Sequence, residues 1–214
     1  MANILAVYSS YQIMSNLKLH MLRVTGVAKI LCDELVKVGV VIDTENVIAA
    51  CLLHDMGNIL KFDLTVFPES LEPQGPAFWH EVQTSFQAKY GSFAHPATIK
   101  IVEEIGVNER VKELIDAISF NREKLNWESA DFAKKVCAYA DMRVAPQGVV
   151  SMKDRLADGR KRYSHKKEDT FSYVMAAYVQ KIETQIFEKV QLKPEEVTES
   201  SVEALFNELQ KVEV

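Results

Sequence analysis

Between Ile13 and Leu31 the apolar residues fall in alternating steps of four and three: Ile13, Leu17, Val24, Val27 and Leu31, with His20 filling one step of the same row. Such steps trace one face of a helix with 3.6 residues per turn, and a strand, with its period of two, does not gather them on one side. The spacing predicts a helix over about residues 11–38, closed by Gly39. It also sets a problem. An imidazole stands where a buried apolar side chain belongs, and His20 by itself is either a hydrogen-bonded core residue or a ligand.

Helical signals continue down the chain. Asp43 or Thr44 caps a second helix running to about residue 56, with Gly57 as its stop. A loop holding Pro68, Pro73, Gly75 and Pro76 leads into a helix over about 77–90 that ends at Gly91. His95-Pro96 opens the next, because proline in the first turn gives up an N–H that has no helical partner anyway. Asn108 caps "ERVKELIDAISF", Ser129 or Asp131 starts a helix reaching about Val144, and further helices are expected near 151–158, 168–190 and 195–211. Paired strand signals are missing, so the fold class is all-α. The division expected is a helical core over 1–165 and C-terminal helices over 166–214 that pack on it or form a subunit contact in a homodimer.

Charge and cysteine usage narrow the setting. A net charge of −5 offers no basic excess to displace counterions from a nucleic-acid backbone. No apolar run is long enough to span a membrane, and "ILAV" near the N-terminus is too short for a secretory core. Cys32, Cys51 and Cys137 each lie in an apolar helical pattern, as reduced interior thiols do. A cytoplasmic protein acting on small molecules is the expectation.

Two further positions repeat the problem set by His20. "AACLLHDMGN" runs from an apolar helix straight into His54 and Asp55, and Asp141 follows a buried face of Ala133, Cys137 and Ala140. A carboxylate beside such a face needs a cation or several donors, because an unpaired buried charge is costly. Three buried helices that each deliver His or Asp to the interior make a joint reading. Two imidazoles and two carboxylates form a mixed nitrogen and oxygen set suited to one divalent ion, with Mn, Mg, Co, Ni, Fe and Zn undistinguished. Water on such an ion is acidified and becomes a nucleophile.

"HMLRVTGVAKIL", "CLLHDMGN" and "YADMRV" together resemble the H…HD…D signature of the HD-domain superfamily of metal-dependent phosphohydrolases, over roughly residues 15–145. The resemblance implies a helical bundle, a divalent metal held by His20, His54, Asp55 and Asp141, and hydrolysis of phosphate esters, often nucleotides. Asp55 would also orient or deprotonate the attacking water.

Departures from the family pattern bear on the remaining residues. Many members continue the dipeptide as HDIGK; here the position is Asn58, and Lys61 replaces that lysine as a substrate contact only where the backbone stays helical. Two-metal members carry two further histidines. His95 stands at the first such position, and Ser119-Phe120-Asn121 occupies the second, so one metal is expected. His95, near a helix N-terminus, is the candidate to donate to phosphate or protonate a leaving group. Arg143, two residues past Asp141, is a candidate phosphate cation. His80, beside Phe78 and Trp79, belongs either to an aromatic wall that stacks a base or to a packing helix. The basic run from Arg155 through Arg160, Lys161, Arg162, Lys166 and Lys167 is either a solvated helix end or a flap over the phosphate. The rival readings are a non-catalytic module that holds metal and nucleotide, favoured by Asn58 and Asn121, and a di-iron oxygenase, which needs a fuller ligand set.

Overall fold

The computed structural model describes residues 2–66, 68–162 and 170–214. Its N-terminal apolar stretch forms α1 (Ile4–Ser10), capped by Asn3, whose side chain accepts the Leu5 N–H. Tyr8 donates its buried hydroxyl to Leu52 O at 2.6 Å, tying α1 to the third helix. The first long helix, α2 (Ser15–Lys37), starts four residues later than the apolar row implied. Gln12 takes a φ of +48°, and this left-handed residue breaks the run while Ile13 and Met14 stay buried.

Helices α3 (Thr44–Leu53) and α8 (Phe132–Met142) pack on α2 and on each other, and α6 (Glu109–Ile118) packs on both of them, to form the centre. Each begins at a side-chain cap: Asp43, Asn108 and Asp131 accept backbone N–H groups of Asn46, Val111 and Ala133. The expected helix to residue 56 stops at Leu53, and His54 is already its cap. Residues 54–57 make a turn, followed by a 3-10 turn over Asn58–Lys61. Around this centre lie α4 (Gly75–Tyr90), α5 (Ala94–Ile105) and the short α7 (Glu123–Glu128). A two-residue hairpin, β1 (Val144–Ala145) with β2 (Gly148–Val149), and an isolated antiparallel bridge between Asn3 and Glu213 leave the all-α class intact.

After α9 (Met152–Arg162), α10 (Thr170–Phe187) lies against α7 and α8. The single last helix expected over 195–211 is instead a 3-10 turn and two short helices, α11 (Glu199–Glu203) and α12 (Phe206–Leu209), because Thr198 caps α11 and breaks the run. Both short helices pack on α2. They come close enough that a Cβ on Gly26 would stand 2.6 Å from a Val202 methyl. No helix among the described residues is long and apolar enough to cross a membrane.

Candidate metal centre

Three helices bring the four expected ligands to one point. His20 comes from the first half of α2, His54 and Asp55 from the turn after α3, and Asp141 from the last turn of α8. His20 Nε2 is 3.1 Å from Asp141 Oδ1 and 3.5 Å from Asp55 Oδ2. His54 Nε2 is 3.4 Å from Asp141 Oδ1 and 3.7 Å from Asp55 Oδ2. One ligand atom from each of His20, His54 and Asp141 falls within 4.8 Å of the other two.

These spacings test whether an ion fits. Two donors about 2.1 Å from a shared ion stand roughly 3.0–3.4 Å apart for angles of about 90–110°. The observed separations sit at or just above that spacing. The tautomer fits as well. His54 Nδ1 lies 2.8 Å from Cys51 O, and donating its hydrogen there leaves the Nε2 lone pair facing the cluster. That Nε2 is buried and has no hydrogen-bond partner, as suits an atom that would bind a cation.

The electrostatics agree. Burial works against a charge on His54, yet the carboxylates of Asp55 and Asp141 outweigh it and push the imidazole up to about 9. Burial likewise works to raise the Asp141 carboxyl, but the His20 and His54 imidazoles beside it hold it well below the usual carboxylate range. A proton on the His54 imidazole thus takes the role a divalent cation would fill.

A second group of polar side chains adjoins the first. Gly57 seats the HD turn on α5: its N–H donates to Thr98 Oγ1 at 2.9 Å, and its Cα faces the backbone of Ala94 and Thr98. His95 belongs to that same first turn of α5. Its Nε2 lies 3.3 Å from Asp116 Oδ1, and Asp116 Oδ2 pairs with Arg122 Nη2 at 2.9 Å. Asp116 therefore holds an imidazole and a guanidinium together, all three partly open to solvent. Neither Asp116 nor Arg122 was expected from sequence, since their meeting depends on how α5, α6 and the turn before α7 converge. Glu123, fully buried at the start of α7, was also unforeseen.

Other expected contacts are corrected. Arg143 is only 2 % exposed and spends its guanidinium on Val150 O, Tyr139 Oη and Val197 O, at 2.5, 2.7 and 2.8 Å. It is a structural clamp. Trp79 is 4 % exposed and donates its indole N–H to Leu71 O, with Phe78 edge-on against it. The pair packs α4 onto the preceding turn, leaving His80 exposed with no aromatic wall. Lys61 ends the 3-10 turn, exposed and unpaired with any of the four ligand residues, because the backbone does not continue as an α-helix past Gly57. In the basic run, Arg155 faces Asp158 and Arg160 lies over the Tyr173 ring. Lys166 and Lys167 lie outside the described residues.

Comparison with known proteins adds one match: the family model for the HD domain covers residues 19–169. No curated protein and no solved structure matches the chain.

Proposed function

We propose, on the premise that the chain belongs to the HD domain family, that it is a metal-dependent phosphohydrolase acting on a nucleotide or another small phosphate ester. The observation that carries this reading is the convergence of His20, His54 and Asp141 within the reach of one ion, with Asp55 Oδ2 beside both imidazoles. A divalent cation held there supplies a Lewis acid and an acidified water.

The chain's own residues supply the rest. The Cys51 carbonyl fixes the His54 ring, so its Nε2 faces the ion without reorganisation. Asp55, beside both imidazoles and 18 % exposed in its side chain, would be open enough to meet a water and orient it for attack. His95 and Arg122, both anchored on Asp116, offer an imidazole N–H and a guanidinium to an anionic phosphate. Arg122 takes over the place first expected of Arg143, because its side chain remains 44 % exposed.

The test is a panel of phosphomonoesters and phosphodiesters, nucleotides included, offered to purified protein with Mn²⁺, Mg²⁺, Co²⁺ or Ni²⁺. Hydrolysis by the parent and none by His54→Ala supports the assignment. Equal turnover by the two proteins, or none by the parent with any metal, overturns it.

A further inference from the structure

Glu123 carries a carboxylate that the described residues leave wholly uncompensated. Its side chain is 0 % exposed, and neither carboxylate oxygen has a hydrogen-bond partner. The cations around it are committed elsewhere. Arg122 pairs with Asp116, Lys124 reaches Glu128, and Lys135 gives its ammonium to Asn126 O, Trp127 O and Gln185 Oε1. Chains rarely bury an acid in this way, since an unpaired charge in the interior is strongly disfavoured. The buried side-chain atoms without a hydrogen-bond partner among the described residues include His54 Nε2, both carboxylate oxygens of Glu123, and Arg155 Nε.

Two of those places are linked. Helix α7, which Glu123 opens, packs on α8, which carries Asp141. Burial first, and then the Asp141 charge, raise the Glu123 carboxyl well above the usual range. That packing sets the helix that begins at Glu123 against the helix that delivers Asp141, and among the described residues Glu123 forms no ion pair with His20 or His54. It lies outside the cluster of direct ligands. Four protein ligands on a six-coordinate ion leave positions for water, and such water needs acceptors.

We propose that Glu123 is a positioning residue of the metal centre, its buried carboxylate being the acceptor for water held on the ion. This rests on reading the site as a metal centre, and its test needs no substrate. Mn²⁺ is titrated calorimetrically into metal-free parent, Glu123→Gln and Glu123→Met, and each is melted with and without Mn²⁺. Expected are an affinity for Mn²⁺ lowered roughly tenfold or more in both variants, a metal-free melting temperature at or above the parent's, and a smaller rise on adding Mn²⁺. A carboxylate that serves folding alone gives the reverse: lower metal-free melting temperatures and unchanged affinity. That result overturns the proposal. A parent that takes up no Mn²⁺ overturns it together with the metal-centre reading. A parent that binds Mn²⁺ but hydrolyses nothing removes the phosphohydrolase assignment and leaves the Glu123 coupling to be judged on its own readouts.

Discussion

Gly57→Ala is the sharpest test of how the site is built. The residue has φ of −93° and ψ of 2°, a conformation open to alanine, so backbone strain does not explain the glycine. Space does. A Cβ at this position would lie 2.5 Å from Ala94 O, 2.8 Å from Thr98 N and 2.9 Å from Ala97 Cβ. Two of those atoms are backbone of the first turn of α5 and cannot swing aside. Relief requires α5 to move off the HD turn, which stretches the bond from Gly57 N–H to Thr98 Oγ1. Overpacking costs about 1–3 kcal/mol and the weakened bond about 1 kcal/mol. The smaller entropy of the unfolded alanine chain offsets about 0.5 kcal/mol. The expected loss is about 1.5–3.5 kcal/mol, a fall of roughly 3–14 °C in melting temperature for a domain of this size. Urea unfolding of metal-free protein, with a melting curve beside it, measures it. Stability within about 0.5 kcal/mol of the parent would mean that α5 yields without cost, and the close seat of the HD turn on α5 would be refuted.

Arg143→Ala is expected to lose about 3 kcal/mol in urea unfolding, since it leaves the buried carbonyls of Val150 and Val197 without their charged donor. Its Mn²⁺ affinity should fall as well, because the donation to Val197 O helps hold the helix that carries Asp141. The pH profile tests His54. Its folded value, raised from 6.5 to about 9, means its contribution is complete below 6.5 and is lost as pH rises through about 9. Metal-free protein should therefore weaken over that window while Mn²⁺ affinity climbs, because the ion needs the lone pair that the proton holds. Unfolding and calorimetry at stepped pH follow both trends, and flat profiles count against the raised imidazole.

The parts of the site legible in sequence were those where a polar residue broke an apolar pattern. His20 interrupts a helical row, and His54, Asp55 and Asp141 end helices that are otherwise buried. A local pattern of that kind survives any detail of packing. The errors came where sequence distance stood in for direction. Arg143 follows Asp141 by two residues, but it caps α8 and turns toward Tyr139 and the C-terminal segment. Trp79 beside His80 suggested a wall, yet neighbours on a helix point about 100° apart, and the indole went inward. Gly57 was read as a helix stop when α3 had already ended at Leu53. Glu123 was hidden most thoroughly. "NREKLNWE" is charged enough to pass for a solvated turn, and only the packing of α7 on α8 shows that Glu123 and Asn126, three residues apart, face inward.

The C-terminal segment also takes part in the metal centre without touching it. Arg23, three residues beyond His20 on α2, is held by Glu199, with both Nε and Nη2 at 2.6 Å from Oε1. The other oxygen of Glu199 accepts the Val149 N–H of the hairpin that follows α8. Arg143, two residues beyond Asp141, donates to Val197 O at 2.8 Å. Residues 197–199 thus fasten, from behind, the helix that carries His20 and the helix that carries Asp141. Those two side chains stand 3.1 Å apart across the ion's position. Their spacing is set by packing between α2 and α8, and this strap fixes that packing with one buried charged donor and one ion pair in which two guanidinium N–H groups share a single carboxylate oxygen. The match to the HD domain ends at residue 169. The geometry of its ligands in this chain nonetheless depends on residues beyond that point.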